Sequence, residues 1–133
     1  RRLGYDGPAP YARFGEAVQQ VREELRSLLA DRRRQGRRLF GYGASTKGNV
    51  LLQYCGIGPD ELIAIADRNP AKVGRRTPGS GIPICSEEAM RDARPDDLLV
   101  LPWHFLEEFL ERERSLRDAG TRFIVPLPQV RII

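Results

Sequence analysis

The residues best equipped for chemistry stand in one run, Gly41-Tyr42-Gly43-Ala44-Ser45-Thr46-Lys47-Gly48-Asn49. Gly41 and Gly43 let the backbone turn sharply and approach a ligand closely. A helix opening just after them would aim its first amides at an anion. Lys47 adds a full positive charge, and Ser45 and Thr46 add hydroxyl donors. Asp67 stands 24 residues beyond Gly43, close to where the acidic residue of a dinucleotide-binding unit meets a ribose. Together these residues describe a site for a nucleotide or its diphosphate. The strict G-x-G-x-x-G pattern is broken, because Thr46 takes the third glycine's place and Gly48 follows two residues later. An ATPase P-loop is excluded, because Lys47 precedes the second glycine and Asn49 follows it. The plain alternative is a tight strand-to-helix turn that binds nothing.

Further candidates lie outside this run. Lys72 follows Asn69-Pro70-Ala71 in a loop rich in Pro and Gly, where it either reaches the diphosphate with help from Arg75 or Arg76 or stays solvated. Lys47 and Lys72 are the lysines of the chain, all other basic residues being arginine. Lysine supplies a compact, mobile charge that arginine's planar fork does not reproduce. Asp67 either meets the ligand or caps the turn before Pro70. Trp103 follows an apolar run, where it stacks on a sugar or base or else closes the core. His104 is the lone histidine, read as an acid or base, as a hydrogen-bond donor, or as an ordinary residue at a helix start.

The elements that must position these residues are legible from periodicity. Residues 1–10 hold Gly4, Gly7, Pro8 and Pro10 and read as a linker. Phe14, Val18, Val21, Leu25 and Leu28 recur at helical spacing, giving a leading amphipathic helix within 11–35 that stops at Gly36. Residues 37–41 read as a strand feeding the glycine turn, and about Thr46 to Tyr54 as the helix after it. The apolar runs 61–66 and 97–101 read as strands buried on both faces. Residues 82–84 add a short extended piece, and Ser86 caps a helix through Met90. A helix from about His104 to Ala119 and a strand at 121–125 complete the pattern. Alternation of strands and helices predicts an open parallel α/β sheet with helices on both faces, in strand order 2-1-3-4 or an extension of it.

Composition narrows the classes. A hydrophobic fraction of 41% and a charged fraction of 30% describe an ordinary globular domain. No apolar run approaches a membrane span, so no membrane partner is expected. The net charge of +4 comes largely from Arg1, Arg2 and the cluster Arg32, Arg33, Arg34, Arg37 and Arg38. That cluster complements the C-terminal end of a helix and is expected to stay solvated. No aromatic residues interleave with it, which argues against nucleic acid. Cys55 and Cys85 are far apart, and with one histidine they make no metal site. Unpaired thiols fit a cytoplasmic protein.

The motif run, followed by Asp67-Arg68-Asn69-Pro70-Ala71-Lys72-Val73-Gly74, resembles the C-terminal domain of sugar C-methyltransferases from deoxysugar pathways. Pro78-Gly79, Ile82-Pro83-Ile84, Leu101-Pro102-Trp103 and Ile124-Val125-Pro126-Leu127-Pro128 match the same family in the same order, so the resemblance covers roughly residues 12–130. It implies a Rossmann-like fold for residues 11–133 and a parent enzyme with an N-terminal zinc-binding segment and a central methyltransferase domain upstream. The central domain would hold S-adenosylmethionine and the catalytic base, with no cofactor in this chain. Such enzymes remove a proton next to the carbonyl of a nucleotide-linked (NDP) keto-sugar, and the enolate attacks the donor's methyl group. His104 departs from the family, which usually has Asn after the Trp. The residues implied to face the NDP-sugar are Gly41, Gly43 to Asn49, Asp67, Asn69, Lys72, Trp103 and His104. Two other classes share features of the sequence. An NAD(P)-linked oxidoreductase domain shares the glycine turn and strand-end acid but would want the third glycine intact. A docking module would use the leading helix as its partner surface.

Overall fold

The computed structural model describes residues 9–127 and 130–133, with side chains from residue 19 onward. The first eight residues of the linker reading lie outside the described residues, as do the side chains of Phe14 and Val18 and the whole of Pro128. Helix α1 spans Ala9–Arg34, so it begins within the segment read as linker. Pro10 is compatible with that start, because a first-turn amide has no partner inside the helix. Val21, Leu25 and Leu29 are buried, which makes Leu29, rather than the partly buried Leu28, the last core residue of this helix.

The remaining elements are β1 (Leu39–Tyr42), α2 (Thr46–Cys55), β2 (Ile65–Asp67), β3 (Ile84–Ser86), α3 (Glu87–Ala93) and β4 (Asp97–Val100), then a 3-10 turn at Trp103–Phe105, α4 (Leu106–Arg112), α5 (Arg114–Asp118), β5 (Arg122–Val125) and β6 (Arg131–Ile132). They form one six-stranded sheet in the order β3-β2-β1-β4-β5-β6. All pairs are parallel except β5 with β6. The expected 2-1-3-4 order of the four main strands is present, extended by β3 on one side and by an unanticipated antiparallel β6 on the other.

Side chains alternate across the sheet and build two cores. Leu39, Ile65, Leu99 and Ile124 pack with Leu25, Leu29, Leu51 and Leu52 of α1 and α2. Phe40, Tyr42, Leu98, Val100 and Phe123 face the other way, onto Met90 and Leu116 of α3 and α5. This three-layer arrangement is a Rossmann-like α/β fold.

Three expectations are corrected. The run 61–66 is strand only from Ile65, because Glu61 turns back to accept the Gly58 amide at 2.7 Å and Ile63 is half exposed. The helix read from His104 to Ala119 is broken into the 3-10 turn, α4 and α5. Its break at Glu113 follows from that side chain, which is buried and held by Tyr42 and Arg91. The arginine cluster is only partly solvated. Asp97, fully buried at the start of β4, accepts from Arg32 Nε and Nη2 at 2.9 and 2.8 Å and from Arg37 Nε and Nη2 at 3.0 and 2.9 Å. Burial alone pushes the Asp97 carboxyl up, but the hydrogen bonds and charges of the two arginines outweigh it and hold the group below the usual carboxylate range. Arg33, Arg34 and Arg38 are exposed.

Candidate functional site

Chain direction across the sheet reverses between β1 and β4. The path runs outward from β1 through β2 to β3, then crosses back past β1 to β4. Open α/β sheets form ligand crevices at such a switch point, beyond the C-terminal ends of the strands. A cleft of about 350 Å³ lies there, at the small end of ligand-binding pockets. Tyr42 to Ser45 line it from the end of β1, and Asp67, Arg68 and Lys72 from the end of β2. Glu87 at the start of α3 and Pro102, Phe105, Glu108, Phe109 and Arg112 after β4 complete the wall.

Of the residues singled out from sequence, Gly43, Ala44, Ser45, Asp67 and Lys72 meet in this cleft. Gly43 has φ +85°, and a Cβ there would lie 2.6 Å from Pro102 Cγ. The glycine is therefore needed twice, for the left-handed turn and for contact with the segment after β4. Ser45 caps α2, its Oγ accepting from the Gly48 amide at 3.0 Å. Asp67 ties the turn to β2 by accepting from the amides of Ala44 at 2.9 Å and Asn69 at 2.8 Å. Lys72 Nζ donates to Ala44 O at 2.9 Å and lies 3.7 Å from Asp67 Oδ2. Asn69 closes the loop start, its Oδ1 accepting from the Ala71 amide.

The other named residues stand apart from the cleft wall. Gly41 lies inside β1, where a Cβ would press on Ile65 Cγ1 at 2.8 Å. Gly48 is buried against β4's extension, with a Cβ placed 2.6 Å from Leu101 Cβ. It thus does the close helix-to-strand packing of the fingerprint's third glycine, two residues late. Thr46 and Lys47 are exposed on the first turn of α2. Their amides find no partner among the described residues and leave the helix end open to an anion. Asn49 turns to the following loop, donating to Pro78 O at 2.9 Å and accepting from Ser80 Oγ at 2.7 Å. Trp103 and His104, with ring centroids 5.1 Å apart, line an adjoining groove that shares Phe105 and Glu108 with the cleft. Trp103 also packs partly against the α1–α2 core, and His104 is exposed. Arg75 and Arg76 are exposed as well, with Arg76 Nη1 donating to Gly81 O.

Sequence reasoning missed the polar lattice behind the cleft. Tyr42 OH donates to Glu113 Oε2 at 2.7 Å, and Arg112 Nε donates to Tyr42 OH at 3.2 Å. Arg91 binds Glu113 through Nε at 2.8 Å and Nη2 at 2.6 Å and reaches Glu87 Oε1 at 3.1 Å. Arg112 Nη2 donates to Glu87 Oε2 at 3.1 Å. Burial first, and then the Glu113 carboxylate, push the Tyr42 phenol far above its ordinary range, so it is a neutral donor at physiological pH. Burial pushes Glu113 up, but hydrogen bonds from Arg91 and Tyr42 prevail and keep it ionised. Tyr42 lies between two quoted glycines, yet its partner is 71 residues away, and no local pattern announces that pairing.

Fold and cleft define the class: a Rossmann-like domain whose crevice opens at its topological switch point. The chain belongs to the C-methyltransferase C-terminal domain family, whose model matches residues 1–128. It is also 38% identical, over all 133 residues, to C-methyltransferase NovU of Streptomyces niveus, and it spans 32% of that relative's length. Among the described residues, no helix is long and apolar enough to cross a membrane, and no three His, Cys, Asp or Glu side chains gather as metal ligands.

Proposed function

We propose that this chain is the nucleotide-sugar-binding domain of an S-adenosylmethionine-dependent enzyme that methylates a carbon next to the keto group of an NDP-linked deoxysugar. The observation that carries the reading is the cleft at the switch point, lined by the Gly43–Ser45 turn that leads into α2. Backbone amides and the cations of the wall suit the acceptor-rich substrate. Membership in the C-methyltransferase family supplies the reaction class.

The chain's own residues do not fit the methyl donor. No acidic residue precedes the glycines at the end of β1, and the Asp67 carboxylate is already engaged by two amides. The cations of the cleft, Arg68, Lys72 and Arg112, match in number its carboxylates, Asp67, Glu87 and Glu108, so the wall offers no net negative charge to the donor's sulfonium and ammonium. The upstream methyltransferase domain of the same polypeptide holds S-adenosylmethionine, which supplies the methyl group, and carries the base. This domain's task is to bind and orient the sugar nucleotide against it. Free Cys55 and Cys85 fit a reducing cytoplasm.

Calorimetric titration of the 133-residue chain tests this reading. UDP or dTDP is expected to bind, and S-adenosylmethionine and NAD are not expected to bind in the micromolar range. Binding of NAD alone would move the chain to the oxidoreductase class. Binding of none would leave a docking module.

A further inference from the structure

The sequence puts the site's cations on Lys47 and Lys72, yet the Lys47 side chain is exposed on α2 and absent from the cleft wall. A donor–acceptor inventory of the cleft points elsewhere. The wall carboxylates Asp67 and Glu87, each with a side chain 13% exposed, are engaged by protein donors. Asp67 holds the amides of Ala44 and Asn69, and Glu87 holds Arg91 and Arg112. The cations of the wall keep unused capacity. Lys72 Nζ gives one hydrogen bond, to Ala44 O. Arg112 gives Nε to Tyr42 and Nη2 to Glu87, while its Nη1 finds no acceptor among the described residues. Glu108, which is exposed, is the remaining carboxylate of the wall. Free hydrogen-bonding capacity inside the cleft is therefore mostly that of donors, on the wall after β2 and the wall after β4. Such a site takes an oxygen-rich anion.

Arg112 is also fixed before any ligand arrives. Its guanidinium lies 5.0 Å from the Phe109 ring centroid and 5.9 Å from that of Tyr42. Tyr42 is held by Glu113, whose side chain is 1% exposed and gripped by Arg91. Both direct polar partners of Arg112, Tyr42 and Glu87, belong to the cleft wall. A planar fork held in place suits a phosphate group better than a mobile point charge does, and it loses less freedom on binding.

We propose that Arg112, opposed by Lys72 across the cleft, grips the diphosphate of the sugar nucleotide, with Tyr42 and Glu113 as positioning residues. This assignment rests on the nucleotide-sugar reading above. Calorimetry with UDP and dTDP, and with uridine and thymidine as diphosphate-free controls, tests it on the 133-residue chain. Arg112→Ala is expected to weaken diphosphate binding about tenfold or more, the size of one charge-assisted hydrogen bond. That loss should exceed the loss from Lys47→Ala. Arg112→Lys, which keeps charge and bulk, is expected to recover only part of it. Tyr42→Phe should weaken binding several-fold in the parent but add nothing to Arg112→Ala, a non-additivity that a purely structural tyrosine would not produce. Circular dichroism confirms that each variant is folded, and Arg112→Lys carries the test if Arg112→Ala is not. Undiminished diphosphate binding by folded Arg112 variants would overturn this assignment alone. Failure of the parent chain to bind either diphosphate would overturn it together with the nucleotide-sugar reading.

Discussion

Replacing Asp97 with Asn should destabilise the domain by about 3 kcal/mol, the lower end of the cost of breaking a buried ion pair from one side. The structure sets this magnitude. The Asp97 side chain has no solvent exposure, and it accepts four hydrogen bonds from two guanidiniums that are 16% and 28% exposed. Asparagine keeps the shape but presents one acceptor oxygen and no charge, so two arginines lose their counterion. Their residual contact with water keeps the cost from reaching the upper end, near 5 kcal/mol. Urea denaturation followed by circular dichroism measures the change. For a slope of about 1.5 kcal/mol per M, the midpoint should fall by about 2 M. Arg37→Ala, which leaves Arg32 paired, should cost less than half as much. The same group gives a pH signature. Its folded pKa is depressed, so its contribution is fully present above the unfolded carboxylate value of about 4 and is lost as pH falls through the lower folded value. A change below about 1 kcal/mol for Asp97→Asn would refute the reasoning, because the cluster would then behave as an exposed pair.

Gly48→Ala should cost about 1–3 kcal/mol by overpacking against Leu101, reversing the gain of about 1 kcal/mol expected for that change in a free helix; thermal denaturation reads the sign. Ser45→Ala should cost about 1 kcal/mol through loss of the α2 cap, seen as a lower urea midpoint. Gly43→Ala should cost more than Ser45→Ala, since it adds both a strained φ and a clash with Pro102, and proton NMR should show its largest shifts at Pro102 and Ala44. Glu113→Gln should weaken the domain's acid sensitivity, because it removes a carboxylate whose folded pKa is lowered; the difference between parent and variant midpoints should shrink on titrating from pH 7 to 3.

Much of the fold was legible because its signals are local. The continuous apolar run Leu98 to Leu101 and the glycine turn after Leu39-Phe40 each identify an element within a few residues. The sheet order then follows from crossover handedness. What escaped depends on partners distant in sequence. Asp97 reads as the polar start of a strand until Arg32 and Arg37 are brought to it by α1. Glu113 reads as one more helical glutamate until Tyr42 arrives beneath it and bends the helix. At the site, the chemistry of the turn drew attention to Lys47 by spacing. The side chains after β4 that close the cleft, Phe109 and Arg112, share no motif with that turn. Strand β6 has only two residues, too few for periodicity to register.

The two flanks of the sheet carry a consequence for strand addition. On one flank, β6 pairs with β5 in the opposite direction, through Ile124 with Ile132 and Val125 with Arg131. On the other, the loop after Lys72 folds back on β3, the Gly74 amide donating to Ile84 O at 3.0 Å and the Ile84 amide to Arg75 O at 2.8 Å. Neither outermost parallel strand offers a free ladder to a passing chain. A chain adding to the sheet would therefore meet the two-residue β6 on one flank and the folded-back loop on the other, not a long parallel edge, and short or covered edges are poor templates for ribbon-like self-association.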